Sequence, residues 1–74
     1  MLSDSTRRAI ASARRQLEHD PSLAAYILRD VPEVKALGLD DLAWQMARDP
    51  YVNKYDVRYL IVRLEAMGKE AVDA

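Results

Sequence analysis

The 74-residue sequence contains no cysteine and no phenylalanine, and it has only one histidine and two glycines. Without cysteine there is no disulfide, no thiolate zinc site and no cysteine nucleophile, so a reducing compartment is the natural setting. No apolar run approaches the roughly 20 residues that cross a bilayer, and the N-terminal residues lack the apolar region of a secretory signal. We therefore predict a cytoplasmic protein that does not bind a membrane.

The scarcity of glycine and histidine also removes most catalytic and cofactor chemistry. Gly38 and Gly68 cannot form the glycine-rich loop that places backbone amides around a phosphate. His19 has no nucleophile placed near it by spacing, and it suits the carbonyl end of a helix. Asp40 and Asp41 are adjacent carboxylates that fit the start of a helix, with Asp40 as its N-cap, and they lack metal-site spacing. We predict no enzyme activity, no catalytic residue, no cofactor, no metal ion and no small-molecule substrate.

Helix boundary signals divide the chain into short segments. Ser3 and Asp20 are expected N-caps, and Pro21 suits the first position of the helix after Asp20. Gly38 is a C-terminal stop, and Asn53 begins the last helix. No stretch alternates with a period of two, so no strand is expected. These signals predict helices over about residues 4–18, 21–30, 41–48 and 53–72, with a short helical turn over 32–37.

This pattern predicts an all-α fold, a compact bundle of four helices plus a short helical turn, with the long C-terminal helix as its spine. Residues 1–74 should form a single helical domain in which 3–19 is a loosely packed basic N-terminal helix and 69–74 is a frayed tail. A domain of this size buries only about 60% of its unfolded surface, so oligomerisation would help it. Trp44 is expected in the core. The side chains expected to pack on the last helix are Leu23, Ile27, Leu28, Val34, Leu37, Leu42 and Met46.

The last helix carries apolar side chains on two opposite faces. At about 100° per residue, one stripe comprises Val57, Leu60, Ile61, Leu64, Met67 and Ala71. The opposite stripe, called here the tyrosine face, comprises Tyr55, Tyr59, Val62 and Ala66. A small domain easily covers one stripe, and tyrosine is favoured at protein interfaces. The tyrosine face is therefore either buried inside the chain against the first or second helix, or it is a partner or dimer interface.

The first helix combines a basic half with a narrow apolar stripe. The basic face comprises Arg7, Arg8, Arg14 and Arg15. Guanidinium groups match carboxylates and phosphates, but the net charge of −1 is low for a generic nucleic-acid binder. The apolar stripe comprises Thr6, Ile10, Ala13 and Leu17. We predict that the basic face binds a protein partner, with an acidic protein ahead of nucleic acid, although an ordinary solvated surface explains it as well.

Two segments at an offset of 29 residues resemble each other. Asp20-Pro21 aligns with Asp49-Pro50, and further matches lie on either side of each pair. The full set aligns Gln16, Leu17, Asp20, Pro21, Leu23, Tyr26, Leu28 and Arg29 with Gln45, Met46, Asp49, Pro50, Val52, Tyr55, Val57 and Arg58. Either two copies of a helical hairpin form a pseudo-symmetric pair, or Asp-Pro is a common helix-start signal and the remaining matches arise by chance.

Residues 39–68 resemble the core of winged-helix regulators. A scaffold helix beginning at Leu42-Ala43 is followed by a turn over residues 49–52 and then by a helix that ends Leu64-Glu65-x-x-Gly68. The resemblance departs from the family pattern where Arg48-Asp49-Pro50 replaces the turn glycine, and few residues follow Gly68 to form a wing. It implies a helix-turn-helix whose groove face would be Tyr55, Arg58, Tyr59 and Val62, with few donors to read bases.

By elimination, binding is the expected function. We predict a small regulatory protein, an inhibitor or adaptor that occupies a surface on another protein, and we expect it to form a homodimer through the tyrosine face. Stand-alone cysteine-free chains of this size are frequent among regulators encoded by phages and other mobile elements, an association without physical weight. The alternatives are a helix-turn-helix DNA-binding transcription regulator and a structural assembly subunit.

Overall fold

The computed structural model describes the backbone of residues 2–73 and the side chains of residues 2–68. The described backbone forms five helices and no strand: α1 Asp4–Gln16, α2 Pro21–Leu28, α3 Pro32–Ala36, α4 Asp40–Arg48 and α5 Lys54–Asp73. This confirms the all-α bundle with a short extra helical turn. None of these described helices is long and apolar enough to cross a membrane. The predicted fraying of residues 69–74 lies outside the described side chains.

Three of the predicted boundary signals act as expected. The Ser3 side chain accepts a hydrogen bond from the Thr6 backbone N–H, and the Asp20 side chain accepts one from Leu23. Gly38 has a φ of 72°, the left-handed conformation that ends a helix without steric cost. Helix α1 ends two residues before its predicted end, because Asp20 leaves the helical conformation to cap α2 and the chain must turn before it.

The predicted N-cap at Asp40 is wrong, and the end of α3 explains why. The backbone N–H groups of Gly38 and Leu39 donate to the carbonyls of Lys35 and Val34, which is the Schellman pattern of helix termination. That motif leaves Leu39 at the N-cap of α4 with no side-chain bond, and Asp40 becomes the first helical residue. A carboxylate there still interacts favourably with the helix dipole.

Only part of the predicted capping pair at the start of α5 is present. The Asn53 side chain accepts a hydrogen bond from the Tyr55 backbone N–H at 2.8 Å. Asp56 contributes its own backbone N–H, which donates to the Asn53 carbonyl. Asn53 therefore fixes the start of α5 with its side chain, and the first turn contains the acidic residue that a helix N-terminus favours.

The core lies between the inner stripe of α5 and the other helices. Four residues of that stripe, Val57, Leu60, Ile61 and Leu64, are fully buried. Helix α2 packs mainly against α1 and α4. Several buried residues are alanines, which let neighbouring helices approach closely: Ala13, Ala24, Ala25 and Ala43. Three predicted core residues, Leu28, Val34 and Met46, are buried as expected, while Ile27 and Leu37 pack partly buried against the core.

Three predicted core residues are exposed instead. The exposed fractions of Leu23, Leu42 and Trp44 are 39%, 37% and 42%. In α2 the inward positions belong to Ala24, Ala25 and Leu28, and in α4 they belong to Ala43 and Met46. Because a helix with a narrow buried stripe directs the neighbouring positions outward, these larger side chains face solvent. The hydrophobicity of these three residues predicted that they lie in the core, but the packing of the helices places them at the surface.

The two Asp-Pro pairs of the apparent repeat occupy different places in the fold. Asp20-Pro21 starts α2 directly, with the proline at the first helical position. Asp49 instead ends α4, and its side chain accepts a hydrogen bond from the Tyr51 N–H in the turn. Helix α5 begins only at Lys54. The two segments therefore share sequence signals but not the same turn, and the structure does not repeat the first hairpin in the second.

Thr6 is a buried polar residue that links α1 to α3. Its hydroxyl donates to Glu33 Oε2 at 2.6 Å and accepts from the Ser3 hydroxyl at 2.9 Å.

We expect Thr6→Val to lower the free energy of unfolding by about 1–3 kcal/mol, because valine keeps the shape of the side chain and removes a hydrogen bond to a charged group. Urea unfolding measures this. Adding Glu33→Gln to Thr6→Val should cost little more, whereas equal costs in both backgrounds would contradict the linkage.

Candidate protein interface

The tyrosine face lies on the outer side of α5, opposite the buried stripe. Tyr55, Tyr59 and Val62 are 63%, 52% and 50% exposed, and Ala66 is half-buried. The face is therefore not covered by α1 or α2 within a single chain, and burial inside the chain, the alternative left open by the sequence, does not occur here. That a partner or a second copy of the chain covers this face stays a prediction.

One flank of the tyrosine face is held by ion pairs to α1 and to the turn that follows it. Arg14 pairs with Glu65, and Lys54 Nζ lies 2.9 Å from Glu18 Oε2. The other flank carries Asp56 and Arg63, both exposed, and neither is in an ion pair with a described side chain. The second flank therefore offers one negative and one positive group to a partner, while Lys54 and Glu65 of the first flank are already paired inside the chain.

The contact between Lys54 and Glu18 shifts both pKa values. The hydrogen bond from Lys54, and after it the charge of Lys54, lower the pKa of the Glu18 carboxyl below its ordinary value of 4.5. The same two effects from Glu18 raise the pKa of Lys54 above 10.5. Both groups lie at the protein surface, so the contact adds little stability.

We expect Lys54→Met to return the pKa of Glu18 toward 4.5. The lowered pKa means that the contribution of this pair is present above pH 4.5 and is lost as the pH falls through the folded-state pKa. On the basic side it is lost as the pH rises through the raised pKa of Lys54. NMR titration of the Glu18 carboxyl, with Lys35→Met as the control, measures the effect. An unchanged pKa in Lys54→Met would show that the pair does not form in solution.

All four arginines of the predicted basic face are exposed, but only two of them pair with a described carboxylate. Arg7 lies 3.9 Å from Asp4, and Arg14 pairs with Glu65. Arg8 and Arg15 are exposed, and no described side chain pairs with either. The apolar stripe beneath is buried at all four positions, Thr6, Ile10, Ala13 and Leu17. The prediction that α1 is loosely packed concerns its opening free energy, which hydrogen exchange would measure.

An aromatic and arginine cluster on α2 and α4 was not predicted. The Arg29 guanidinium lies 3.9 Å from the centre of the Tyr26 ring and 4.7 Å from that of Trp44, and Arg48 lies 5.1 Å from Trp44. This explains why Trp44 is stable on the surface, since guanidinium groups stack favourably on aromatic faces. Arg29, the C-cap of α2, follows Tyr26 by three residues, and Trp44 and Arg48 are four apart on α4. Those spacings were visible in the sequence, but the pairing of α2 with α4 was not.

Comparison with protein-family models, with curated proteins and with solved structures finds no match for this chain. Two surfaces of the described structure carry chemistry suited to binding: the tyrosine face with its charged flank, and the exposed arginines of α1.

Proposed function

We propose that this chain is a small non-enzymatic regulatory protein of the cytoplasm, an inhibitor or adaptor that binds a surface of another protein and forms a homodimer through the tyrosine face. The observation that carries the proposal is the exposure of Tyr55, Tyr59 and Val62 on the helix that also supplies the largest buried stripe. Neighbouring tyrosines on one rigid helix provide apolar area with few rotatable bonds, as protein interfaces favour.

A homodimer fits the size of the chain. A domain of 8.4 kDa has a small core, and an interface on α5 would add buried apolar area to the element that already anchors that core. A two-fold axis would also present two copies of α1 with their exposed Arg8 and Arg15. We infer that the tyrosine face makes the dimer and that the basic face of α1 binds an acidic surface of the target protein.

The solution mass tests the dimer. Light scattering over a concentration series, in low and moderate salt, should show a mass that rises from 8.4 kDa toward twice that value as the concentration increases. An interface based on tyrosines should weaken little with salt. A mass that stays at 8.4 kDa up to millimolar concentrations would overturn the dimer.

Neutralising the basic face tests the second surface. We expect Arg7, Arg8, Arg14 and Arg15 changed together to glutamine to abolish binding to an oligoglutamate peptide without changing the oligomeric state, because these residues lie on α1 and not on the tyrosine face. Isothermal titration and light scattering measure the two effects. Arg8→Gln with Arg15→Gln should account for most of the lost affinity, whereas a lost dimer in the quadruple variant would contradict the separation of the two surfaces.

A helix-turn-helix regulator is the second candidate, and the arrangement of α4 and α5 favours it. The two helices are consecutive, and the outer face of α5 carries exposed Arg58 beside Tyr55 and Tyr59, as a helix in a DNA groove would. Affinity for duplex DNA that depends on several phosphate contacts should fall by orders of magnitude between about 50 and 200 mM salt. Such a salt-sensitive complex, lost on Arg58→Gln, would favour this candidate over the first.

A further inference from the structure

We propose that the second copy packs its α5 antiparallel against the first, so that Tyr55 contacts the partner's Ala66 and Tyr59 contacts the partner's Val62. This inference depends on the homodimer proposed above and specifies its geometry. The proposed homodimer requires only that the tyrosine face is the contact surface. The antiparallel arrangement is a separate inference from the order of large and small residues, and of charges, along α5.

The order of residue sizes on the face is complementary to itself when reversed. Tyr55 precedes the midpoint of the face by as much as Ala66 follows it, and the same holds for Tyr59 and Val62. A two-fold axis perpendicular to α5 at this midpoint therefore places each tyrosine opposite a smaller side chain. A parallel pair would place Tyr55 against the partner's Tyr55 and Ala66 against the partner's Ala66, which crowds one end and leaves a gap at the other.

The exposed charges follow the same symmetry. In an antiparallel two-fold pair, each flank of α5 meets the same flank of the second copy. Asp56 and Arg63 lie on one flank and are seven residues apart, or about 10 Å along the axis, too far to pair within a chain. Reversal of the second helix brings Asp56 close to the partner's Arg63 and Arg63 close to the partner's Asp56. In a parallel pair opposite flanks meet, and Asp56 would instead lie near the partner's Arg58.

The area of the face limits the strength of the dimer. The two tyrosines and Val62 are about half exposed, which gives roughly 300–400 Å² of coverable surface per copy. Twice that area is below the roughly 1,200 Å² at the lower end of stable interfaces. We therefore expect a weak, reversible dimer, whose dissociation constant sedimentation equilibrium measures.

A charge exchange tests the orientation. Asp56→Arg should weaken the dimer at least about tenfold, because it places two positive groups together at both ends of the interface. Asp56→Arg combined with Arg63→Asp should restore the dissociation constant to within about threefold of the original, since the exchanged charges again face each other. In a parallel dimer the double variant would stay as weak as the single one, and this result would overturn the inference. Circular dichroism confirms that each variant is folded.

Cross-linking provides an independent measurement because the chain has no cysteine of its own. Ala66→Cys keeps both tyrosines. In the antiparallel pair the two copies of this cysteine lie about 16 Å apart along the helix axis, so they should not form a disulfide, whereas a mixture of Ala66→Cys and Tyr55→Cys chains should. Efficient linking of Ala66→Cys to itself would overturn the antiparallel geometry.

The outcomes separate this inference from the proposed function. A chain that remains monomeric at millimolar concentration would overturn the homodimer and the orientation together. A concentration-dependent dimer that Tyr59→Asp disrupts, but that the charge exchange does not restore, would keep the proposed interface and overturn only the antiparallel arrangement.

Discussion

Replacing Leu60 by alanine is expected to lower the free energy of unfolding by about 2–5 kcal/mol. Leu60 is fully buried in the inner stripe of α5, and truncation removes its packing and leaves a cavity between α5 and its neighbours. A protein of this size has a total stability of roughly 5–10 kcal/mol, so this single change removes a large share of it. Urea unfolding followed by circular dichroism measures the loss.

Val62 provides the matched control for Leu60. It is on the same helix two residues later, but it is half exposed on the tyrosine face. At concentrations where the chain is monomeric, Val62→Ala should change the free energy of unfolding by no more than about 0.5–1 kcal/mol. Equal losses for the two variants would mean that the tyrosine face is buried in the folded monomer, contrary to the structure.

Tyr59→Asp is expected to raise the dissociation constant of the homodimer at least about a hundredfold while the monomer stays helical. In the dimer the new carboxylate would be enclosed by the apolar side chains of the second copy, and burying an unpaired charge is costly. In the monomer the same position is half exposed, so water continues to solvate the charge. Sedimentation equilibrium measures the association, and circular dichroism measures the helix content.

Two further variants serve as controls for Tyr59→Asp. Tyr59→Phe should retain the dimer, because it keeps the ring and removes only the hydroxyl. Tyr51→Asp should have little effect, since Tyr51 is 92% exposed and precedes α5. Unfolding of Tyr59→Asp would place the face in the core, and a dimer unaffected by Tyr59→Asp would place the interface elsewhere.

The sequence was most informative where structure is local. Ser3, Asp20 and Gly38 act through hydrogen bonds or backbone angles that involve only a few neighbouring residues, so their residue types are sufficient to predict them. The two stripes of α5 follow equally from the helical period, because a repeat of 3.6 residues separates opposite faces whatever the helix packs against. The all-α class and the tyrosine face were therefore predictable from the chain itself.

The tertiary structure decided which helix sides meet and which surface pairs form. Trp44 was expected in the core, but the packing of α2 against α4 places it under Arg29 at the surface, where the stacking energy depends on residues distant in sequence. Likewise, Arg14 was predicted to be part of the basic face, but in the fold α5 places Glu65 beside it and the two form an ion pair. Periodicity gives the direction of a side chain around its own helix, but only the relative position of two helices determines what that side chain contacts.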